Sequence, residues 1–159
     1  MNLTDEFTAL IAGFQRNQID FAVCGGMAMA LHGFPRFTND IDLLILPLDL
    51  AGALTIATDC GFENAPEPIK LGQSSGRPVE IWRINEFQGE DHLALDLVLV
   101  NGLLDDVWVG RQRFDWREFS LAVVSAAGLA KMKLLAGRPQ DLVDIQTLGF
   151  HADDPAIQA

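Results

Sequence analysis

Apolar residues return at Leu3, Phe7, Leu10, Ile11 and Phe14, the spacing of one face of an amphipathic helix that Asn17-Gln18 ends. Phe21–Cys24 is a short apolar run read as a buried strand, and it leads straight into Gly25-Gly26. Met27–His32 is built from good helix formers and is stopped by Gly33 and Pro35. Alternation and branched side chains predict a strand over Asn39–Leu46. A helix follows over Pro47–Cys60, with Leu50, Leu54 and Ala57 on one side and Gly61 as its cap. Glu63 to Pro78 holds three prolines, two glycines and Ser74-Ser75, the composition of a long irregular loop. Val79–Asn85 and Leu93–Val100 read as strands, with Asn101-Gly102 as a turn. Leu103 to Glu118 carries no clear period, and Trp108 and Trp116 there are read as packing residues. Phe119–Val124 is a further strand, and Ser125 caps a helix over Ala126–Ala136 that Gly137 closes. Pro139 opens a last helix with Leu142, Ile145 and Leu148 as its stripe.

Helices and strands interleave without an internal repeat. This predicts one α/β (α+β) domain over residues 1–150, a mixed sheet with flanking helices, and a C-terminal tail over 151–159. The length of 159 residues suits a single domain, and a hydrophobic content of 49% suffices for a core. A net charge of −11 repels phosphate backbones, so strong non-specific nucleic-acid binding is not expected. Met1–Glu6 lacks the basic flank of a signal peptide, and no run of about 18 apolar residues predicts a membrane span. The expectation is a cytoplasmic protein with reduced thiols, Cys24 being a small buried residue at a strand end.

Asp40 and Asp42 carry the strongest chemical signal. Side chains two apart on a strand point to one face, with Cα atoms about 6.5 Å apart. Carboxylates at that spacing can share two metal ions roughly 3.5–4 Å apart. Asp is disfavoured in strands and like charges repel, so a cation would offset the cost. The same residues could instead belong to a loop and a cap. Asp96 is the lone charge in Leu93–Val100, a run covered on both faces. Ionised there, it needs an arginine, backbone amides or a metal. The Asp-x-Asp upstream makes metal ligation the reading adopted.

Gly25-Gly26, between strand end and helix start, would let a ligand approach the backbone where anions are favoured. Thirteen residues separate Gly26 from Asp40, room for a short helix and a return loop. Lys131 and Lys133 are two apart on a helix, so at most one readily points into a pocket. Arg36 stands just before Asp40, placed for a phosphate or for a salt bridge to an aspartate. Arg138 is read as a local partner of Asp141 and Asp144. His32, His92 and His151 show no zinc spacing.

Gly25-Gly26, then Arg36-Phe-Thr38-Asn-Asp40-Ile-Asp42-Leu, then Asp96 in its apolar strand, resembles the DNA polymerase beta-like nucleotidyltransferase superfamily. Lys133-Leu-Leu-Ala-Gly-Arg138-Pro-Gln-Asp141-Leu-Val-Asp144-Ile looks like the tail of its small bacterial members, which include AbiEii-type toxins of toxin–antitoxin systems and stand-alone domains. The resemblance spans Phe21 to Leu148. It implies a transferase that moves a nucleoside monophosphate from an NTP to an acceptor hydroxyl and releases pyrophosphate. It also implies that Asp40 and Asp42 bind two Mg2+ ions, and that Asp96 binds the one activating the hydroxyl. Gly25 and Gly26 would hold the triphosphate. Lys133 would face the nucleotide, with Arg36 a weaker candidate. The family often has Ser where Gly26 stands, and the larger toxins carry C-terminal extensions not seen here. The acceptor is left open between a protein side chain, an RNA end and a small molecule.

Two other readings fit parts of the pattern. A glycosyltransferase also binds a metal and a nucleotide-sugar through Asp-x-Asp, without needing the glycine spacing. A non-catalytic module of the same fold, antitoxin-like or regulatory, would bind a nucleotide or a protein partner without turnover.

Overall fold

The computed structural model describes residues 1–63, 67–72, 76 and 78–159. The sheet has seven strands among them: β1 (Ala22–Cys24), β2 (Asp40–Ile45), β3 (Ile69–Leu71), β4 (Val79–Gln88), β5 (Asp91–Leu99), β6 (Gln112–Trp116) and β7 (Phe119–Val123). Their order is β3-β4-β5-β2-β1-β7-β6. β2 and β5 run parallel, as do β1 and β7, while the other neighbours are antiparallel. The mixed sheet with flanking helices is the architecture expected.

The helices are α1 (Leu3–Arg16), α2 (Gly25–Leu31), α3 (Leu50–Asp59), α4 (Asp105–Val109), α5 (Ala126–Ala136) and α6 (Pro139–Thr147). Asn2 caps α1 by accepting from the Thr4 and Asp5 amides, and its predicted stripe Phe7, Leu10, Ile11 and Phe14 is wholly buried. α1 and α3 meet closely at Gly13, where a side-chain carbon would stand 2.6 Å from Ile56 Cγ2. Ser125 accepts from the Gly128 amide to start α5, and Gly137 closes it with φ 68. Among the described residues no helix is long and apolar enough to cross a membrane.

Several elements differ from expectation. The expected loop from Glu63 to Pro78 contains β3, whose three residues are all exposed at the sheet edge. Pro66 and Ser74-Ser75 lie outside the described residues. The unassigned stretch after Leu103 supplies α4 and β6. β6 is also an edge strand: Gln112, Arg113 and Asp115 stay in water while Phe114 and Trp116 turn inward, an alternation too short to stand out in the sequence. α2 begins at Gly25 itself, two residues before the predicted start. Pro47–Asp49 forms a 3-10 turn ahead of α3 rather than its first turn. On α6, Ile145 is buried as predicted but Leu142 is exposed, because the helix turns Asp141 and Asp144 inward. Trp116 packs edge-on against Phe7, and Arg111 lies over the Trp108 ring, so both tryptophans are packing residues. Ile157, from the last turn of the chain, is fully buried in a small cluster with Ala130 and Ile145.

Side chains alternate along β4, so Arg83 faces one side of the sheet and Glu86 the other, toward α1. Glu86 is buried, and its Oε2 has no hydrogen-bond partner among the described residues. Glu6 of α1 comes up against it. Burial first, then the hydrogen bond and charge of Glu86, push the Glu6 carboxyl from 4.5 up to about 7. A carboxyl whose pKa is raised by folding favours the native state while it is protonated, so that stability fades as pH rises from 4.5 through 7. Glu6→Gln is therefore expected to raise stability at pH 8, by about 1 kcal/mol after solvent screening, and to flatten the loss between pH 5 and pH 8, as read by urea unfolding.

Candidate active site

Backbone register builds the site. Cys24 of β1 stands opposite Asp42 of β2, Asp42 opposite Asp96 of β5, and Asp96 opposite Arg83 of β4. Four neighbouring strands thus put a thiol, two carboxylates and a guanidinium in one row on one sheet face. Asp40 sits two residues before Asp42 on the same face, in register with Ala94. A cavity of about 420 Å³ opens over this row. Gly25, Gly26, Arg36, Asp40, Asp42, Asp96 and Lys133 all line it, so the seven candidates named from the sequence converge.

The glycine turn touches the carboxylates directly. Gly25 has φ +64, and a side-chain carbon there would stand 2.1 Å from Asp42 Oδ2. Only glycine lets the β1–α2 backbone pass so close to Asp42. At Gly26 an added carbon would meet Thr38 Oγ1 at 3.1 Å, so the space a larger residue would use is held by Thr38. Thr38 bridges the Asp40 peptide through its hydroxyl at 3.3 Å, and it also lines the cavity.

Crowding shows in the protonation of the row. Burial, then the charges of Asp96 and Asp40, raise the Asp42 carboxyl from 3.8 to about 7, with Arg83 acting in the opposite sense. Burial, then the charges of Asp42 and Asp96, push the Cys24 thiol well above its usual range. Cys24 is thus a neutral spacer and not a thiolate nucleophile.

Asp96 is 6% exposed and holds Arg83 through two bonds, Nε to Oδ1 and Nη2 to Oδ2, both 2.8 Å. Of the partners the sequence left open for Asp96, the structure shows the arginine. The pair is not sealed off, because Arg83 itself lines the cavity and its side chain is half exposed. Among the described residues no three His, Cys, Asp or Glu side chains form a cluster that could hold a metal ion as they stand. Both oxygens of Asp96 face the guanidinium.

The opposite wall comes from α5 and α6. Lys133 is buried and donates to Asp144 Oδ2 at 2.6 Å, with Asp141 Oδ1 at 3.6 Å. Lys131, two residues earlier, points elsewhere and pairs with Asp106 of α4. Arg36 also donates to Asp144, so one carboxylate ties the loop before β2 to α5. Arg138 binds Asp141 through its side chain and backbone amide, the local pairing expected, though Asp144 is not its partner. Burial alone would raise the Asp144 carboxyl, but bonds from Lys133, Gln140 and Arg36 outweigh it and hold the group below its usual range. Arg83 and the clamp role of Asp144 were missed in the sequence. Arg83 had no visible signal beyond its alternation with apolar neighbours. Asp144 had one: its three-residue spacing from Asp141 on a helix.

A model of one protein family matches residues 9–157, described as the nucleotidyl transferase AbiEii toxin of type IV toxin–antitoxin systems. The chain belongs to the AbiEii family. No curated protein sequence matches it. Among solved structures, this AbiEii-family chain is similar to the lincosamide antibiotic adenylyltransferase LnuA, with 15% identity over 91% of this chain and 95% of that one, TM-score 0.60. It is also similar to ANT(2")-Ia, at 12% identity over 89% and 84% of the two chains, TM-score 0.62. A nucleotidyltransferase-like protein from Thermotoga maritima shares 12% identity over 92% and 94%, TM-score 0.61. At these identities the likenesses establish the shared fold, and the family match makes the chain a nucleotidyltransferase.

Asp144→Ala leaves Lys133 buried with Asp141 alone and frees Arg36. Breaking a buried pair in this way is expected to lower unfolding stability by about 2–4 kcal/mol in urea. Lys133→Met with Asp144→Leu removes both charges together and is expected to restore most of that loss.

Proposed function

We propose that this AbiEii-family chain transfers a nucleoside monophosphate from an NTP to an acceptor hydroxyl in a magnesium-dependent reaction that releases pyrophosphate. The observation that carries the reading is the row of Asp42 and Asp96, with Asp40 beside it, facing a glycine turn across one open cavity. The carboxylates fit a hard divalent cation: they are oxygen donors, they repel one another, and burial leaves Asp42 with its proton near neutrality.

Asp40 and Asp42 would hold both magnesium ions, and Asp96 the one on the acceptor side. When bound, the metal lowers the pKa of the attacking hydroxyl and neutralises charge gathering on the phosphates. The chain's own groups do the positioning. Gly25 and Gly26 leave the backbone open for the triphosphate. Lys133, held rigid by Asp144, presents a fixed positive charge to the nucleotide, and Arg36 adds a second from the same carboxylate. Arg83, bonded to both oxygens of Asp96, is the counter-charge that holds that side chain in place in the row. Adenylyl transfer is chemistry that this fold accommodates, since LnuA is named an antibiotic adenylyltransferase and ANT(2")-Ia is described with adenylyl-2"-tobramycin. By family the setting is a type IV toxin–antitoxin system, which we read as cytoplasmic.

The test is transfer of label from α-labelled NTPs to any acceptor with and without magnesium. Asp42→Asn is expected to lower transfer on the order of 100-fold or more. The same change should raise the melting temperature at pH 8. The native carboxyl has its pKa raised from 3.8 to about 7, so ionising it burdens the fold above that pH. Activity that survives Asp42→Asn, or labelling indifferent to EDTA, would overturn the proposal.

A further inference from the structure

We propose that the acceptor is a compact hydroxyl compound with an apolar body, seated on the β3–β4–β5 floor of the cavity. The proposal rests on the transferase reading above and adds the class of molecule that receives the nucleotide.

In phosphoryl transfer the attacking and leaving oxygens lie roughly in line, on opposite sides of the phosphorus. With pyrophosphate at the Gly25-Gly26 turn beyond β1, the reacting phosphorus lies over β2. The attacking oxygen then approaches from the side of β5 and β4. The sheet continues in that direction, and its side chains are in register. Ile69 of β3 stands opposite Ile81 of β4, and Ile81 opposite Val98 of β5, one step along from the Arg83–Asp96 pair. Leu71 stands opposite Val79 in the row after that. All five apolar side chains line the cavity.

Alternation keeps charge off this floor. Lys70 and Glu80 face each other between those rows, on the other side of the sheet. Among the described residues, Arg83 is the cation on the floor beyond Asp96, and both ends of its fork are engaged. A nucleic-acid end needs several phosphate contacts from free cations, and the chain carries a net charge of −11. Ile69 and Leu71 remain 41% and 39% exposed on an edge strand. Apolar surface left in water beside a reaction centre is surface that a ligand's apolar body would cover. The volume of about 420 Å³ is shared with the reacting end of the nucleotide, so the part of the acceptor that enters the cavity is compact.

In the step itself the acceptor oxygen bonds to the α-phosphorus, and the bridging P–O bond to the β-phosphate breaks. Pyrophosphate leaves with that electron pair, and the hydroxyl proton passes to water.

The full chain, magnesium and α-labelled NTPs are incubated with four separate fractions of an extract from its own cells: butanol-soluble metabolites, water-soluble metabolites, total RNA and total protein. Label is expected to be incorporated with the butanol-soluble fraction as acceptor source. Ile69→Asn with Leu71→Asn, both at exposed positions, is expected to raise the KM for that purified acceptor at least tenfold and to leave the KM for the NTP within twofold. Label going to RNA, to protein or to water-soluble metabolites overturns the inference and leaves the transferase reading standing. An equal rise in the KM for the NTP also overturns it, since the nucleobase would then occupy the floor. No label with any fraction overturns both.

Discussion

Everything at this site depends on holding like charges together. Asp40, Asp42 and Asp96 share one sheet face over two adjacent parallel strands, and no side-chain choice within those strands relieves their repulsion. The protein answers in two ways. Arg83 closes on Asp96 with two hydrogen bonds, and Asp42 keeps its proton to about pH 7. In the proposed reaction an incoming divalent charge would remove a penalty that the fold already carries. Strong binding of the transition state follows more readily from groups prearranged at such a cost than from groups that gather only on binding.

The supporting wall has the opposite logic. Lys133, Arg36, Asp141, Asp144 and Arg138 form a satisfied network around the two acidic residues of α6. Asp144 accepts from buried Lys133 of α5, from Arg36 of the loop before β2 and from Gln140 of its own helix, so one carboxylate ties these three segments together. Such a wall holds positive charge at a set distance from the carboxylate row without letting the two collapse onto each other. The rigid wall and the strained row divide the labour of positioning and reaction.

The sheet order explains why a small chain can do this. Placing β2 centrally, between β1 and β5, brings the glycine turn and the third carboxylate to either side of Asp42. The long antiparallel β4–β5 pair then extends the same face past Asp96 toward β3, where polar and charged residues alternate to the far side. A glycine-lined end and an apolar end result from one pleated surface read at different strands. The second acidic pair, Glu6 with Glu86, lies on the other face against α1 and takes no part in the site.

Local pattern alone determined much of this. Periodicity located α1 and the central strands, because their burial is one-sided or complete and leaves a clear apolar signature, while Ser125 and Gly137 bounded α5. Gly25, Gly26, Asp40, Asp42 and Asp96, which the fold brings to one cavity, stood out because glycine, paired aspartates and a lone charge in an apolar run are each out of keeping with plain structure, whereas Lys133 was named only through the family resemblance. The tertiary structure alone decided the rest. Edge strands β3 and β6 are too short for the alternation of Ile69 with Leu71 and of Phe114 with Trp116 to stand out, and α6 turns its aspartates inward against the period of its apolar residues. Arg83 could be matched to Asp96 only through the register of β4 on β5. Register is set by pairing between strands, and a chain read in one dimension carries no trace of which residues will stand opposite one another.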